Sequence, residues 1–333
     1  MLESVVVTIS VIVPAYNAQK TISQTIRSLV EQDYSEKYEI IVIDDGSTDQ
    51  TADLIRSFPN VIYVHQPNAG PATARNHGAR LAKGRYLAFT DSDCVPHKDW
   101  LSQLLQGFMK DDIAVVMGSY GIVNKENFLA YCIYKEIVFR HDHLLPDFPI
   151  VFGSYNFCIK KEVFDQVGGF STSYRHASGE DNDLSYKIIH ANWRIYFQRK
   201  ALVDHYHPTR ILKYLKEQFR HGFWRVRMYA AYPSMSRGDG YTFWKDIIEV
   251  PWSSLCLLGI VLTPLGLTSF IAGTSGSIIL LLFFEISFAR SMFRNVQKEI
   301  FWGFIMFLRA FSRALGLSTG ILSFLGLKIL NKC

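Results

Sequence analysis

The chain is poor in cysteine, and none of its cysteines is spaced for a structural role. The five cysteines are scattered among 333 residues without a CxxC pair, which argues against a disulfide framework or a zinc site and fits a reducing compartment. No zinc-finger spacing or long basic tract is present, so the net charge of +5 does not single out nucleic acid as a partner. The absence of a glycine-rich loop followed by lysine argues against a nucleotidyltransferase.

Charge is missing from part of the C-terminal third. Residues 252–272 contain no charged side chain, and about 20 apolar residues suffice to cross a bilayer core. Pro264 would kink such a helix without preventing it. After an uncharged turn at 273–277, residues 278–289 are apolar apart from Glu285. The pattern predicts a membrane hairpin, with a buried soluble helical bundle as the alternative.

Basic residues indicate the orientation of this hairpin. Three follow the second span: Arg290, Arg294 and Lys298. Because the turn between the spans has none, we expect both outer flanks in the cytoplasm. Residues 300–330 are apolar but contain Arg309 and Arg313 near their middle, so they form either a third span with a paired arginine, which we favour, or an interfacial helix.

The N-terminal two-thirds shows the pattern of an α/β domain. Residues 5–13 resemble a signal-peptide core, but Glu3 replaces a basic leader and no small-residue cleavage site follows, so they are predicted to be the first strand. Further strands are predicted at 39–43, 61–64, 86–90, 114–119 and 194–198, with helices at 21–32, 71–83, 100–109, 161–167 and 181–190 and one ending at 58. This alternation predicts a mainly parallel sheet covered by helices. Residues 210–232 are basic, aromatic and amphipathic, as in a helix on a membrane face.

Three acidic clusters lie where one predicted element gives way to the next: Asp44-Asp45-Gly46-Ser47, Asp91-Ser92-Asp93 and Gly179-Glu180-Asp181. The first two directly follow predicted strands, and ligands of open α/β sheets bind at the carboxyl ends of strands. Gathering carboxylates in one site is costly unless a divalent cation or a shared proton offsets the repulsion. The clusters therefore predict a site for a metal-bound phosphate ligand.

Each of these features also has a simpler interpretation. The clusters could be turns and helix caps. Arg75 could contact a diphosphate or lie on the surface. The segment 204–207 could supply a metal ligand, for which His207 is the candidate, or its histidines could be only structural.

Taken as an ordered set, these motifs resemble the family 2 glycosyltransferases with the GT-A fold, over most of residues 7–225. The set comprises Pro14-Ala15-Tyr16-Asn17, Asp44-Asp45-Gly46-Ser47-Thr48-Asp49, Asn68-x-Gly70, Ala74-Arg75-Asn76-x-Gly78, Asp91-Ser92-Asp93, Gly153 with Asn156, Val167-Gly168-Gly169-Phe170 and Gly179-Glu180-Asp181. The resemblance implies a Rossmann-like, mainly parallel α/β sheet with flanking helices, here followed by transmembrane helices.

The family implies an inverting transfer from a nucleotide-diphosphate sugar, with a UDP-sugar favoured, to an acceptor hydroxyl, assisted by Mn²⁺ or Mg²⁺. On this sequence it implies Asp181 as the base and Asp91 and Asp93 near the metal. The implied donor site comprises Pro14, Tyr16, Asn17, Asp44, Asp45, Arg75, Asp91 and Ser92. Asn156 and Glu180 would line the acceptor side.

The sequence departs from processive members of the family, which carry Gln-x-x-Arg-Trp on an interfacial helix. The comparable stretch here contains Gln218, Arg220 and Trp224 without that spacing, so we expect addition of a single sugar. The bundle is also small for a translocation channel.

The expected organisation is a GT-A domain at 1–208, an interfacial segment at 209–250 and a membrane region of two or three helices at 251–333. We expect a multi-pass protein of the cell membrane with its catalytic domain in the cytoplasm and an acceptor on a lipid-linked glycan or exopolysaccharide precursor. The alternatives are a polyprenyl-phosphate sugar synthase and a catalytically silent sugar-nucleotide-binding scaffold.

Overall fold

The computed structural model describes residues 7–174, 179–238, 240–263 and 268–330. The chain divides into two compact units. The sheet unit comprises Met1–Asn124 and Leu145–Tyr206, and the helical unit comprises Lys125–Leu144 and His207–Cys333.

An eight-stranded sheet forms the centre of the sheet unit. Its strands are β1 (Ile9–Ala15), β2 (Tyr38–Asp44), β3 (Ile62–His65), β4 (Tyr86–Thr90), β5 (Cys94–Pro96), β6 (Ile113–Ile122), β7 (Asn156–Lys160) and β8 (Arg194–His205). Their spatial order is β3-β2-β1-β4-β7-β6-β8-β5. Strands β3, β2, β1 and β4 run parallel, whereas β7 is antiparallel to both neighbours and β5 is antiparallel to β8.

The central strands are buried because they are continuously apolar. All seven residues of β1 are buried, as expected for a strand covered on both faces. Ala15 lies opposite Asp44 in the register of β1 and β2, so both strands end at the same edge of the sheet. The acidic loop after β4 follows a strand that is parallel to β1 and therefore emerges at this edge as well.

Helices flank the sheet and direct loops toward its edge. Those of the sheet unit are α1 (Ile22–Val30), α2 (Thr51–Arg56), α3 (Pro71–Leu81), α4 (Trp100–Gln106), α6 (Lys161–Gln166) and α7 (Glu180–His190). Helix α1 buries Ile22, Ile26 and Leu29, one stripe at helical spacing. Helix α3 starts with Pro71, whose missing N–H would have no partner at a first helical position.

In the part of the chain that the structure describes, the helical unit contains five longer helices. They are α5 (Phe128–His143), α8 (Ile211–Ala231), α9 (Trp244–Leu262), α10 (Thr268–Arg290) and α11 (Val296–Leu330). Two segments, Ile271–Arg290 and Val296–Phe324, are long and apolar enough to cross a membrane. By length and composition, this agrees with the predicted C-terminal membrane helices.

Ion pairs between helices account for the buried charges of this unit. Arg309 of α11 lies 2.8 Å from a carboxylate oxygen of Glu136 on α5, and Arg140 lies 2.7 Å from Asp246 on α9. Arg313 pairs with Glu249. Lys245 pairs with both Glu249 and Glu285. The arginines near the middle of the last apolar segment are thus paired, and its assignment as a third span stays a prediction.

Some predicted boundaries are wrong. The predicted turn at 273–277 lies inside α10. A glycine costs a helix only about 1 kcal/mol relative to alanine, so the two glycines of this stretch do not by themselves end a long helix. The predicted kink at Pro264 and the first two residues of the predicted first strand lie outside the described residues. Helix α5 and strand β5 were not predicted, and β8 extends beyond residue 198 to His205.

Candidate functional site

Asp44 ends β2 with its carboxylate held by groups of the chain itself. Its oxygens accept hydrogen bonds from the Ser47 backbone at 2.9 Å and the Tyr63 hydroxyl at 3.0 Å, and one lies 3.3 Å from Nδ1 of His65. Burial acts to raise the pKa of Asp44, but these hydrogen bonds outweigh it and hold that pKa below its ordinary value. A fixed negative charge therefore lies at the end of β2, beside the exposed ring of His65.

Asp45, its neighbour, has a different environment. It is 3% exposed, and its carboxylate accepts from Nε2 of Gln66 at 2.7 Å and from the backbone N–H groups of Ala69 and Gly70, each at 2.9 Å. These bonds shape the loop that leads into α3. Asp45 was predicted to contact the donor, and the structure shows its carboxylate engaged in fixing this loop.

The loop after β1 is tied to the loop after β2. The Asn17 backbone donates to the Ser47 hydroxyl at 3.0 Å, and the Asn17 side-chain oxygen accepts from the Thr48 backbone at 2.8 Å. Pro14 is buried within β1, whereas Tyr16 is 52% exposed. Of the predicted donor residues in this loop, Tyr16 and Asn17 are exposed, although the side-chain oxygen of Asn17 is engaged by Thr48.

Arg75 of α3 joins two of the acidic clusters. Its guanidinium lies 2.7 Å from Asp91 and 3.1 Å from Glu180, and the side chain is 2% exposed. The structure thus brings the loop after β4 close to the start of α7. It also places Arg75 in the protein interior, where both carboxylates already engage it.

Asp181 lies in the first turn of α7, after Gly179 with its φ of 105°. Burial and the adjacent Glu180 carboxylate raise the pKa of Asp181 to about 7, although Arg75 acts in the opposite direction. A carboxylate with this pKa is substantially ionised near neutral pH and still basic enough to accept a proton. Asp181 therefore has the chemistry of a general base.

Asp93 lies on the same loop as Asp91, next to a histidine of β8. Nε2 of His205 is 3.4 Å from its carboxylate, because Cys94 pairs with His205 in the antiparallel β5–β8 ladder. The loop is further fixed by the Ser92 carbonyl, which accepts from the Thr25 hydroxyl at 3.0 Å. Possible ligand atoms of Asp93, Cys94 and His205 lie within 4.8 Å of one another.

The donor set around Asp93 fits a divalent cation, because carboxylates suit ions such as Mg²⁺ and Mn²⁺ and imidazole is a common ligand of transition-metal ions. Burial, together with the charges of Asp93 and Asp91, raises the pKa of the Cys94 thiol well above its ordinary value, so this sulfur stays protonated and is a poor ligand for a hard cation. Asp93 and His205 are therefore the side chains that would hold a cation here.

His207, the histidine predicted as a ligand, belongs to the helical unit. Its ring is 5% exposed and lies 6.4 Å from the ring of Tyr134. Within the described ranges, the group of possible ligands around Asp93 contains His205. A ligand role for His207 stays a prediction.

Asn156, predicted to line the acceptor side, is 1% exposed. Its side-chain oxygen accepts from the Trp100 indole at 2.8 Å, and its side-chain nitrogen donates to the carbonyls of Ser119 and Ala201, each at 2.9 Å. These contacts connect β6, β7, β8 and α4. The structure thus gives Asn156 a structural environment, and Glu180, the other predicted acceptor residue, pairs with Arg75.

Sequence reasoning missed His205 as the neighbour of Asp93. A signal was present, since the segment 204–207 contains two histidines at alternate positions of an extended pattern. Choosing between them required the pairing of β5 with β8, and β5, at three residues, is too short for a periodicity to reveal.

Known proteins resemble this chain over most of the sheet unit. The model of the family described as "Glycosyl transferase family 2" matches residues 10–177. Glycosyltransferase GlyG of Streptococcus pneumoniae is 31% identical over 222 residues, which cover 58% of this chain and 70% of that protein. Glycosyltransferase AglE of Haloferax volcanii is 27% identical over 236 residues, covering 66% and 74%.

A solved structure shares the fold over nearly the whole chain. The mannosyltransferase PcManGT of Pyrobaculum calidifontis, solved with GDP-Man and Mn²⁺, matches with a TM-score of 0.55 and 18% identity, covering 92% of this chain and 86% of that one. This likeness confirms the predicted GT-A fold class. With the family match to half of the sequence, it leads to one conclusion: the chain belongs to glycosyl transferase family 2 and is a glycosyltransferase.

Proposed function

We propose that this glycosyltransferase is an inverting, metal-dependent enzyme that transfers one sugar from a nucleotide-diphosphate donor to a hydroxyl of a lipid-linked glycan or exopolysaccharide precursor. The observation that carries the proposal is the proximity of two acidic clusters, since Arg75 lies within hydrogen-bond distance of both Asp91 and Glu180. It supports a common site for the donor loop and the predicted base.

The donor would bind at the edge of the sheet where β1, β2 and β4 end. Tyr16, Asn17 and Asp44 would hold the nucleotide, with a UDP-sugar favoured. Asp93, with His205 and Asp91 nearby, would hold Mn²⁺ or Mg²⁺, and such an ion supplies positive charge to the departing diphosphate.

Asp181 would act as the base. It accepts the proton of the acceptor hydroxyl while that oxygen forms a bond to the anomeric carbon from the face opposite the leaving group. The bond from the anomeric carbon to the nucleotide diphosphate breaks, and its electron pair leaves with the diphosphate. The raised pKa of Asp181 supports this role, because a base works best with a pKa near the working pH.

We propose a multi-pass membrane protein with its catalytic domain in the cytoplasm, where sugar nucleotides are made. The proposed organisation is a catalytic segment at 1–208, an interfacial segment at 209–250 and a membrane region at 251–333, although Lys125–Leu144 belongs to the helical unit. Support comes from the two apolar helices and from the basic residues that follow α10.

Acceptor identity is tested with detergent-solubilised full-length protein. A polyprenyl-diphosphate sugar and a polyprenyl phosphate are offered separately with each nucleotide sugar, and the products are identified by mass spectrometry. We expect the glycan-bearing lipid to be extended. Extension of polyprenyl phosphate alone would instead identify a polyprenyl-phosphate sugar synthase, and binding of donor without any turnover would identify a silent scaffold.

A further inference from the structure

The position of Arg75 conflicts with its predicted role at the diphosphate. The side chain is 2% exposed, and burial opposes its charge, but the Asp91 and Glu180 carboxylates raise its pKa above the ordinary value. One amino group lies 2.7 Å from Asp91 and the other 3.1 Å from Glu180. Nε of Arg75 has no hydrogen-bond partner among the described residues, but the positive charge is already balanced by two carboxylates and the side chain is not open to solvent.

The planar guanidinium group of arginine suits a position between the carboxylates of Asp91 and Glu180. Arginine presents several N–H donors at fixed angles, whereas lysine presents one compact charge on a flexible stem. Arg75 also lies over the ring of Phe170, at 5.4 Å from its centroid. These contacts fix its orientation and, with it, the separation of the two acidic segments.

Asn76, the residue after Arg75 in α3, contacts the chain at Phe170 and so holds the same region at a second point. The Asn76 side chain donates to the Phe170 carbonyl at 2.8 Å and accepts from the Phe170 backbone at 3.0 Å. Adjacent residues of α3 thus contact the chain at Phe170 and at Glu180, on both sides of the segment 171–179. Helix α3 determines where α7, and therefore Asp181, begins.

We propose that Arg75 is a positioning residue that ties the Asp91 loop to the start of α7 and so holds Asp181 in register with the donor. This rests on the proposed function of the site. Arg75 acts through Asp91 and Glu180, and the diphosphate is bound by other groups.

A diphosphate ligand and a positioning residue differ in the quantity that their loss changes, which is nucleotide affinity for the first and turnover for the second. A diphosphate ligand contributes to donor affinity, so its loss raises the Kd of the nucleoside diphosphate. A positioning residue contributes to the geometry of reaction, and a displacement of about 1 Å lowers turnover by about 10²-fold. We therefore expect Arg75→Gln to lower kcat by about 10²-fold and to leave the Kd of the nucleoside diphosphate nearly unchanged.

The experiment compares Arg75→Gln, Arg75→Lys and Glu180→Gln with wild type. Arg80→Gln is the matched control, because Arg80 is an exposed arginine of the same helix. Steady-state transfer gives kcat and KM, and calorimetry with UDP or GDP and Mn²⁺ gives Kd independently of activity. Glu180→Gln leaves the pair between Arg75 and Asp91 intact, so it tests the bridge even if Arg75→Gln does not fold.

A bridge predicts that Glu180→Gln also lowers kcat without weakening nucleotide binding, and that Arg75→Lys recovers only part of the loss. If the kcat of Glu180→Gln equals that of wild type, or if Arg75→Lys and Arg75→Gln raise Kd in proportion to their loss of kcat/KM, the bridge is refuted. A wild-type protein that turns over no donor would refute the proposed function itself, and nucleotide Kd values would still show whether Arg75 is a diphosphate ligand.

Discussion

At the residue scale, two adjacent aspartates show how neighbours in sequence acquire different roles. Asp44 lies beside an exposed histidine at the sheet edge, whereas Asp45 accepts three hydrogen bonds from the segment 66–70. Both side chains are buried, at 1% and 3% exposure. The two carboxylates therefore differ in the part of the chain that each one holds.

Replacing Asp45 with Asn is expected to destabilise the fold. An amide offers one acceptor oxygen where three donors converge, and each buried donor left unsatisfied costs about 1–3 kcal/mol. Urea denaturation should show this loss for Asp45→Asn, with Asp53→Asn as the control because Asp53 is largely exposed on α2. Equal free energies of unfolding for the two variants would contradict a structural role for Asp45.

The raised pKa of Asp181 predicts a pH dependence. The base must be ionised to accept a proton, so kcat/KM should fall as the pH drops below about 7. Asp181→Asn should lose about 10²–10⁴-fold in kcat and lack this acid limb. A wild-type profile that stays flat down to pH near 4 would remove Asp181 from the role of base.

The sequence selected the candidate site residues but not the contacts that they make. Asp91, Asp93 and Asp181 could be selected because each stands at the end of an element beside another acid. The engagement of Arg75 and Asn156 could not be predicted, because each contacts residues at least 16 positions away in the chain. Sequence spacing carries no information on such distant partners.

At the scale of elements, helix α5, which the sequence did not predict, is joined to the C-terminal helices by ion pairs. Glu136 of α5 accepts from Arg140 on its own helix and from Arg309 on α11. Burial alone would raise the pKa of Glu136, but the Arg309 and Arg140 guanidinium groups hold it at about 2. Helix α5 escaped prediction because its apolar and polar residues are not segregated into faces; it buries Glu136 and Arg140 beside Leu129 and Cys132.

Removing the negative charge of Glu136 should lower the thermal stability of the helical unit. Glu136→Gln leaves Arg309 buried without its carboxylate, and breaking a buried pair costs about 3–5 kcal/mol. Thermal unfolding in detergent should show a clear loss relative to Asp142→Asn, since Asp142 is an exposed acid of the same helix. The same Tm for both variants would contradict a stabilising ion pair.

The pair also has a definite pH window. Because the pKa of Glu136 is lowered from its ordinary value of 4.5 to about 2, its contribution to stability is complete above about 4.5 and is lost as the pH falls toward 2. Stability of the wild type should therefore fall more steeply over this window than that of Glu136→Gln. If the stabilities of wild type and Glu136→Gln fell in parallel over this pH range, the stabilising charge would not belong to Glu136.

At the scale of the whole molecule, the chain combines a GT-A sheet unit with apolar helices long enough to cross a bilayer. The alternation of strands and helices predicted the first half of the sheet, because each of its parallel strands is a largely apolar run. It did not reveal that β7 inserts antiparallel between β4 and β6, since pairing direction depends on contacts made across the chain. Likewise, it predicted a turn at residues 273–277, which lie inside α10.

Membrane attachment predicts a simple fractionation result. Apolar side chains on α9 and α10 are exposed, such as those of Leu255, Val261 and Phe283. Because they cannot form hydrogen bonds with water, such a surface favours contact with lipid. The full-length protein should stay in the membrane pellet after alkaline carbonate and high salt and be released only by detergent. Release by carbonate alone would contradict insertion.

The central claim is that Asp93 and Asp181 serve one metal-dependent transfer site. Its most direct measurement is nucleotide release by detergent-solubilised protein from a panel of nucleotide sugars, with Mn²⁺ and with chelator, for wild type, Asp93→Asn, Asp181→Asn and the exposed control Asp99→Asn. We predict release from one donor by wild type and Asp99→Asn, and its loss with chelator or in either site variant. Undiminished release from Asp93→Asn, or release that chelator leaves unchanged, would contradict the account.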